Sequence, residues 1–244
     1  MTVAPSEFEG FTPEAVQFLV SLGSNNARAW LAPRKGEYER LLKLPLEALC
    51  DALAARFEAR GLPFRSDQKR SPFRFYRDTR FSKDKSPYKT HVGASFPYLG
   101  MASQPPAGAA PDPDLPPADG LRGNGGYFSF GPGEMVVGGG MYDPGKERLA
   151  RFRSLILEDP DRVRAGLDDP GFVSEYGAAY ALDSLKRVPP GFPPDHPMAD
   201  RLRWKDMVFI RHLSDEEAFS RDLPDILTYA YASAMPVFGF LAAL

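Results

Sequence analysis

Cysteine is almost absent from this chain. Cys50 is the one copy in 244 residues, so no intramolecular disulfide can form. A fold of this size without disulfides suits a reducing compartment, and the cytoplasm is the expected location. Long apolar runs are missing as well. Nothing approaches the roughly 20 apolar residues that a membrane span requires, so no membrane partner is expected. The opening MTVAPSEFEG lacks a basic region followed by an apolar core, and no signal peptide is read there.

Several catalytic signatures are also absent. There is no HExxH and no CxxC, so no metal ligand set is assigned. No GxGxxG opens a helix, and the run Gly138-Gly139-Gly140 is not followed by the Lys-Ser or Lys-Thr of a phosphate loop. Gly126 to Gly131 reads G-x-x-S-x-G, one residue too long for a nucleophile elbow, which leaves Ser129 without that role. No cofactor is implied by any of these patterns.

What is present begins with an uneven charge distribution. The formal net charge is −2, yet Lys69 to His91 carries eight Lys or Arg against Asp78 and Asp84, a local balance of +6. The remainder therefore carries −8. A basic segment on an acidic body fits a specific anionic ligand better than a general nucleic-acid coat, which makes a whole domain basic.

The hydrophobic pattern predicts an α+β fold: a central, mainly antiparallel sheet flanked by N-terminal and C-terminal helices, in one domain over 1–244. Thr12-Pro13-Glu14 reads as a helix start, followed by a stripe of Val16, Leu19 and Val20. Ser24 or Asn25 is expected to cap a short helix carrying Trp30. Leu46, Leu49, Leu53 and Phe57 mark a third helix, with Pro45 in its first turn and Gly61 just past its end. Alternation over Val92–Tyr98 and Tyr127–Phe130 predicts strands. Gly131-Pro132-Gly133-Glu134 predicts a type II turn into Met135–Tyr142.

Met101 to Asn124 holds six prolines in twenty-four residues and reads as a loop insertion. Further on, Leu149, Phe152 and Ile156 share a helix face, and Asp159-Pro160 starts another helix. Met207–Ile210, apolar throughout, is expected as an inner strand. Ser214 and Glu217 form a capping box. Leu227, Ala230, Ala234 and Val237 predict a final helix kinked at Pro236.

The basic stretch Phe73 to His91, FRFYRDTRFSKDKSPYKTH, carries a resemblance. Its RDTRFSKDKSPYKTH portion resembles the signature of the conserved hypothetical family called domain of unknown function 2461. Phe18-Leu19 with Asn25-Asn26 and Arg28-Ala29-Trp30-Leu31 agrees with that pattern. So do Val137 to Tyr142, and Leu185 to Phe192 followed by Asp195-His196-Pro197. The blocks span nearly the whole chain, and the proline-rich insertion departs from them. The resemblance implies a location for function and no catalytic assignment.

Chemistry narrows that location. Along an extended Phe73–Asp78, Arg74, Tyr76 and Asp78 share one face and Phe73, Phe75 and Arg77 the other. Arg74, Arg77, Arg80, Lys83, Lys85 and Lys89 supply the forks and point charges that hold phosphate or carboxylate, with Tyr88 beside them. Gly139 leaves a side-chain-free patch that the cationic loop is expected to face. Asp78, His91 and His196 are the acid–base candidates. Asp195 and His196 also read as a cap for Ala199–Arg203, and Asn25-Asn26 as a turn or as ligand-binding amides. The favoured reading is a pocket for an anionic small molecule, with catalysis unassigned. The rivals are a nucleic-acid-binding or processing protein and a non-enzymatic partner of an acidic protein.

Overall fold

The computed structural model describes residues 7–77, 84–100 and 123–244. The proline-rich insertion lies almost wholly outside them. Among the described residues, helices flank a four-stranded antiparallel sheet, which makes the fold α+β.

Helix α1 (Pro13–Ser24) starts where the sequence places it. The Thr12 side chain accepts from the Ala15 amide, and Pro13 occupies the first turn. The buried stripe is Ala15, Phe18, Leu19 and Leu22; Val20, expected inside, is exposed because that rotation carries it to solvent. Helix α2 (Arg28–Leu31) is not capped by Ser24 or Asn25. Ala27 holds the N-cap position, and Asn25 instead closes α1, its Nδ2 donating to Ser21 O at 2.9 Å. A 3-10 turn leads to α3 (Lys35–Tyr38), followed by a π-helical turn (Glu39–Lys43) and α4 (Leu44–Ala59). Leu46, Leu49, Leu53 and Phe57 are all buried on α4, and Gly61 follows its end with φ +63°.

The sheet order is β1 (Val92–Pro97), β2 (Asn124–Phe130), β3 (Val136–Met141) and β4 (Met207–His212). The β2–β3 hairpin closes through a Glu134 N–H to Gly131 O bond of 3.0 Å with Gly133 at φ +71°, as a type II turn requires. Asn124, counted from the sequence as loop, is buried as the first residue of β2, and its Nδ2 donates to Phe238 O at 2.6 Å.

Strand β4 was expected inside the sheet and lies at its edge. Its apolar character has another cause: Tyr180 exchanges both backbone bonds with Val208, at 2.8 and 2.9 Å, and covers the open side.

One face of the sheet carries the core. After β3 come α5 (Gly145–Glu158), α6 (Pro160–Leu167), capped by Asp159, and α7 (Pro170–Tyr176). A short α8 (Ala199–Leu202) precedes β4, and the Ser214–Glu217 capping box opens α9 (Asp215–Phe219). Two helices then end the fold, α10 (Leu223–Ser233) and α11 (Met235–Ala242). The expected kink at Pro236 is a full break: Ala234 ends one helix and Pro236 sits in the first turn of the next, where proline costs no hydrogen bond. Phe57, Phe96, Tyr231, Phe209 and Phe238 meet between these helices and the sheet, mostly edge to face. No helix among the described residues is long and apolar enough to cross a membrane.

Candidate functional site

The basic stretch folds as an addition to the sheet. Ser71 to Arg77 runs extended along the outer side of β1. The Ser95 amide donates to Ser71 O at 3.0 Å and the Phe73 amide to Gly93 O at 2.8 Å. The chain then returns antiparallel to itself. Arg77 N–H bonds Pro87 O, Lys89 N–H bonds Phe75 O, each at 2.9 Å, and Tyr76 lies opposite Tyr88. Alternation sorts the first arm: Phe75 is buried, whereas Arg74 and Tyr76 are exposed; Tyr88, on the returning arm, is buried.

Two contacts fix this hairpin. Asn26 grips the backbone of Tyr88, donating from Nδ2 to Tyr88 O at 2.9 Å and accepting the Tyr88 amide on Oδ1 at 3.0 Å. Between the two arms, the Arg77 guanidinium pairs with Asp84. Ser86, donating to Asp84, and then Arg77 hold that carboxyl down to about 2.

Between the hairpin and the helices from α2 to α4 lies a cavity of about 630 Å³. Buried Leu31, Leu46, Phe75, Tyr88 and Val92 form its floor. Its rim carries the exposed bases Arg28, Lys35, Lys43, Lys69 and Arg74 against Glu39 and Glu47, a balance of +3. Lys35 lies 4.0 Å from Glu39 and Lys43 3.8 Å from Glu47, each one helical turn apart. The π-helical turn supplies Glu39 and Lys43 to this rim; π segments recur at functional sites. Tyr38, also on the lining, stacks on Phe75 at 4.3 Å. Burial, reinforced by Glu47 and Glu39, pushes its phenol up to about 12, so it stays a hydrogen-bond donor.

A second polar group sits on the sheet face away from α10 and α11. His91 Nδ1 stands 3.6 Å from Glu134, whose other oxygen accepts from Tyr127 Oη at 3.3 Å and Ser129 Oγ at 3.1 Å. Lys89 lies over the Phe73 ring, 5.3 Å from its centroid, and Phe73 stacks on Tyr127. Burial lowers the His91 pKa. Glu134 opposes that, while Lys89 and Arg77 add to it. Burial lowers Lys89 as well and raises Tyr127 to about 12. A neutral imidazole beside a carboxylate is chemically fit to accept a proton.

The candidate residues therefore divide. Arg74 and Tyr88 line the cavity. Arg77 and Lys89 act electrostatically on His91. Lys85 is exposed beside Asp84. Asp78, Arg80 and Lys83 lie outside the described residues.

Gly139 is corrected. A Cβ there would stand 2.7 Å from both Gly125 O and Phe238 Cζ, so neighbouring backbone and a core ring fill the space left for a ligand. The glycine beneath the basic stretch is Gly93, against the Phe73 ring. His196 belongs to the turn entering α8, which packs on α5; its Nδ1 accepts the Met198 amide at 3.0 Å. The cap expected from Asp195 and His196 is not formed: Met198 occupies the N-cap of α8, and no side chain caps it. Asn26, read as a turn residue or a ligand amide, sits in the turn between α1 and α2 and spends its amide on Tyr88, 62 residues away.

Missed from the sequence were Arg28, Lys35, Lys43, Lys69 and Tyr38, which line the cavity, and Glu134 beside His91. The helical cations have the spacing of an ordinary solvated face, and only their position opposite the hairpin distinguishes them. Among the described residues, no group of three or more His, Cys, Asp or Glu could hold a metal ion.

The model of the family described as conserved hypothetical protein, DUF2461, matches residues 14–240. The chain belongs to this family. The match runs from the second residue of α1 into the last helix and takes in the hairpin arms and the whole sheet, so cavity and polar group alike fall inside the family's span. Comparison with curated proteins and with solved structures finds no match.

Proposed function

We propose that this protein binds an anionic small molecule, carrying phosphate or carboxylate, in the cavity between the basic hairpin and helices α2 to α4. The observation that carries the reading is a rim of five bases against two carboxylates around an apolar floor. A volume of about 630 Å³ suits a small-molecule site, which typically spans roughly 300–1,000 Å³. Arg28 and Arg74 offer planar forks, and Lys69 a point charge.

The rival readings draw less support. A single-strand binder presents successive aromatics to solvent, yet among the described rings of the hairpin Tyr76 alone is exposed, while Phe75 and Tyr88 are buried. A surface that docks an acidic protein has no need of a recessed apolar floor.

A thermal-shift panel of phosphorylated and carboxylated metabolites tests the proposal. A ligand at 100 times its Kd stabilises the native state by about 2.7 kcal/mol, which raises Tm by several degrees. Stabilisation by anionic compounds, absent with their neutral counterparts, supports the reading. A panel with no charge-dependent shift contradicts it.

A further inference from the structure

We propose that the ligand of this cavity carries a flat aromatic ring joined to its anionic group, as a nucleotide or an aryl phosphate does. The inference rests on the anion-binding reading and goes further, by naming what occupies the apolar interior.

A bare anion would meet the basic rim and leave the floor unused. A run of rings crosses the cavity lining from α3 to the hairpin. Tyr38 stacks on Phe75 at 4.3 Å and 27°, Phe75 on Tyr88 at 5.6 Å and 25°, and Tyr76 leans on Tyr88 at 5.2 Å and 49°. The run ends at Tyr76, which lines the cavity and is 62% exposed. An exposed ring at the end of a stack offers its free face to another ring, in the offset geometry that aromatic pairs prefer. Leu31 and Ala32 on the helical side give such a guest apolar surface opposite the rings. Tyr38, kept protonated, can donate to a ring heteroatom. The bases on the rim then meet the anionic end.

Calorimetric titration of the full chain with AMP, phenyl phosphate and ribose 5-phosphate tests this. Stacking on an aromatic side chain predicts that the two ring-bearing phosphates bind at least about tenfold tighter than the sugar phosphate. Tyr76→Ala removes most of that advantage and leaves ribose 5-phosphate unchanged; Tyr76→Phe preserves it. Tyr76 is exposed, so neither variant threatens folding. Lys69→Glu weakens all three probes. If ribose 5-phosphate binds as tightly as the aromatic probes, or Tyr76→Ala leaves the ratio intact, the ring is overturned and the anion reading stands. If none of the three binds at millimolar concentration, both fall.

Discussion

Asn26 and Tyr88 exchange a pair of hydrogen bonds, 2.9 and 3.0 Å, that tie the turn after α1 to the returning arm of the basic hairpin. A side-chain amide paired with one residue's N–H and C=O imitates a neighbouring strand. It fixes the height at which Tyr88 enters the cavity floor. Each bond contributes about 0.5–1.5 kcal/mol net, so Asn26→Ala is expected to cost roughly 1–3 kcal/mol in urea denaturation. Asn26→Asp keeps the acceptor and loses the donor, and falls between. Hydrogen exchange at the Tyr88 amide should accelerate in Asn26→Ala. An unchanged midpoint with an unchanged exchange rate would show that the pair contributes nothing.

The His91 imidazole is predicted to make stability depend on pH. Its folded pKa lies below the ordinary value of 6.5 because burial disfavours the charged ring. Above about 6.5 the ring is neutral in both states, and its contribution is fully present. As pH falls below that value the unfolded chain takes up a proton that the fold resists, so stability declines until the lower folded pKa is passed. His91→Gln should flatten the decline between pH 7 and 5. The neighbours give a second check by NMR titration: Glu134→Gln removes an opposing carboxylate and lowers the His91 pKa further, while Lys89→Met raises it. A His91 pKa at or above 6.5 in the native protein contradicts this account.

Gly139→Ala separates packing from ligand binding in the triglycine run. The new methyl would meet Gly125 O and Phe238 Cζ at 2.7 Å, and the first is backbone that cannot swing aside. Overpacking of this kind costs about 1–3 kcal/mol. Gly36→Ala is the control. Nothing lies within 4 Å of a Cβ there, and α3 gains helix propensity, so it should be neutral or stabilising by about 0.5–1 kcal/mol. Equal stabilities for the two variants would refute the packing role.

Charge on the rim should govern ligand affinity. Lys69→Glu reverses one exposed base on the cavity and is expected to weaken an anionic ligand by about tenfold or more, since a charge-assisted hydrogen bond contributes roughly 1.5–3 kcal/mol. Tm without ligand should stay within a degree or two, because the residue is exposed. An affinity unmoved by the reversal would take the anion off this rim.

Much of the scaffold was legible because its signals are local. Thr12-Pro13, the α4 stripe, the Gly131–Glu134 turn and the Ser214–Glu217 box each rest on residues no more than four positions from the next. The alternation over Phe73–Arg77 likewise separated Arg74 and Tyr76 from Phe75. What escaped was long-range. The Asn26–Tyr88 pair spans 62 residues, and Tyr180 disguises an edge strand as an inner one by covering it from 28 positions away. The π-helical turn at Glu39–Lys43 leaves no compositional mark, yet it brings Glu39 and Lys43 to the cavity. The charge count picked out the basic segment from composition alone. It did not show that Arg74 would look into a cavity while Arg77 and Lys89 act on His91.

The most direct measurement is a crystal structure of the full chain soaked with pyrophosphate, an anionic probe small enough to choose its own site. The account predicts the anion on the cavity rim, within about 2.7–3.2 Å of side-chain nitrogens from at least two of Arg28, Lys69 and Arg74. An empty cavity, with the anion held instead beside Lys89 and His91 or nowhere on the protein, would contradict it.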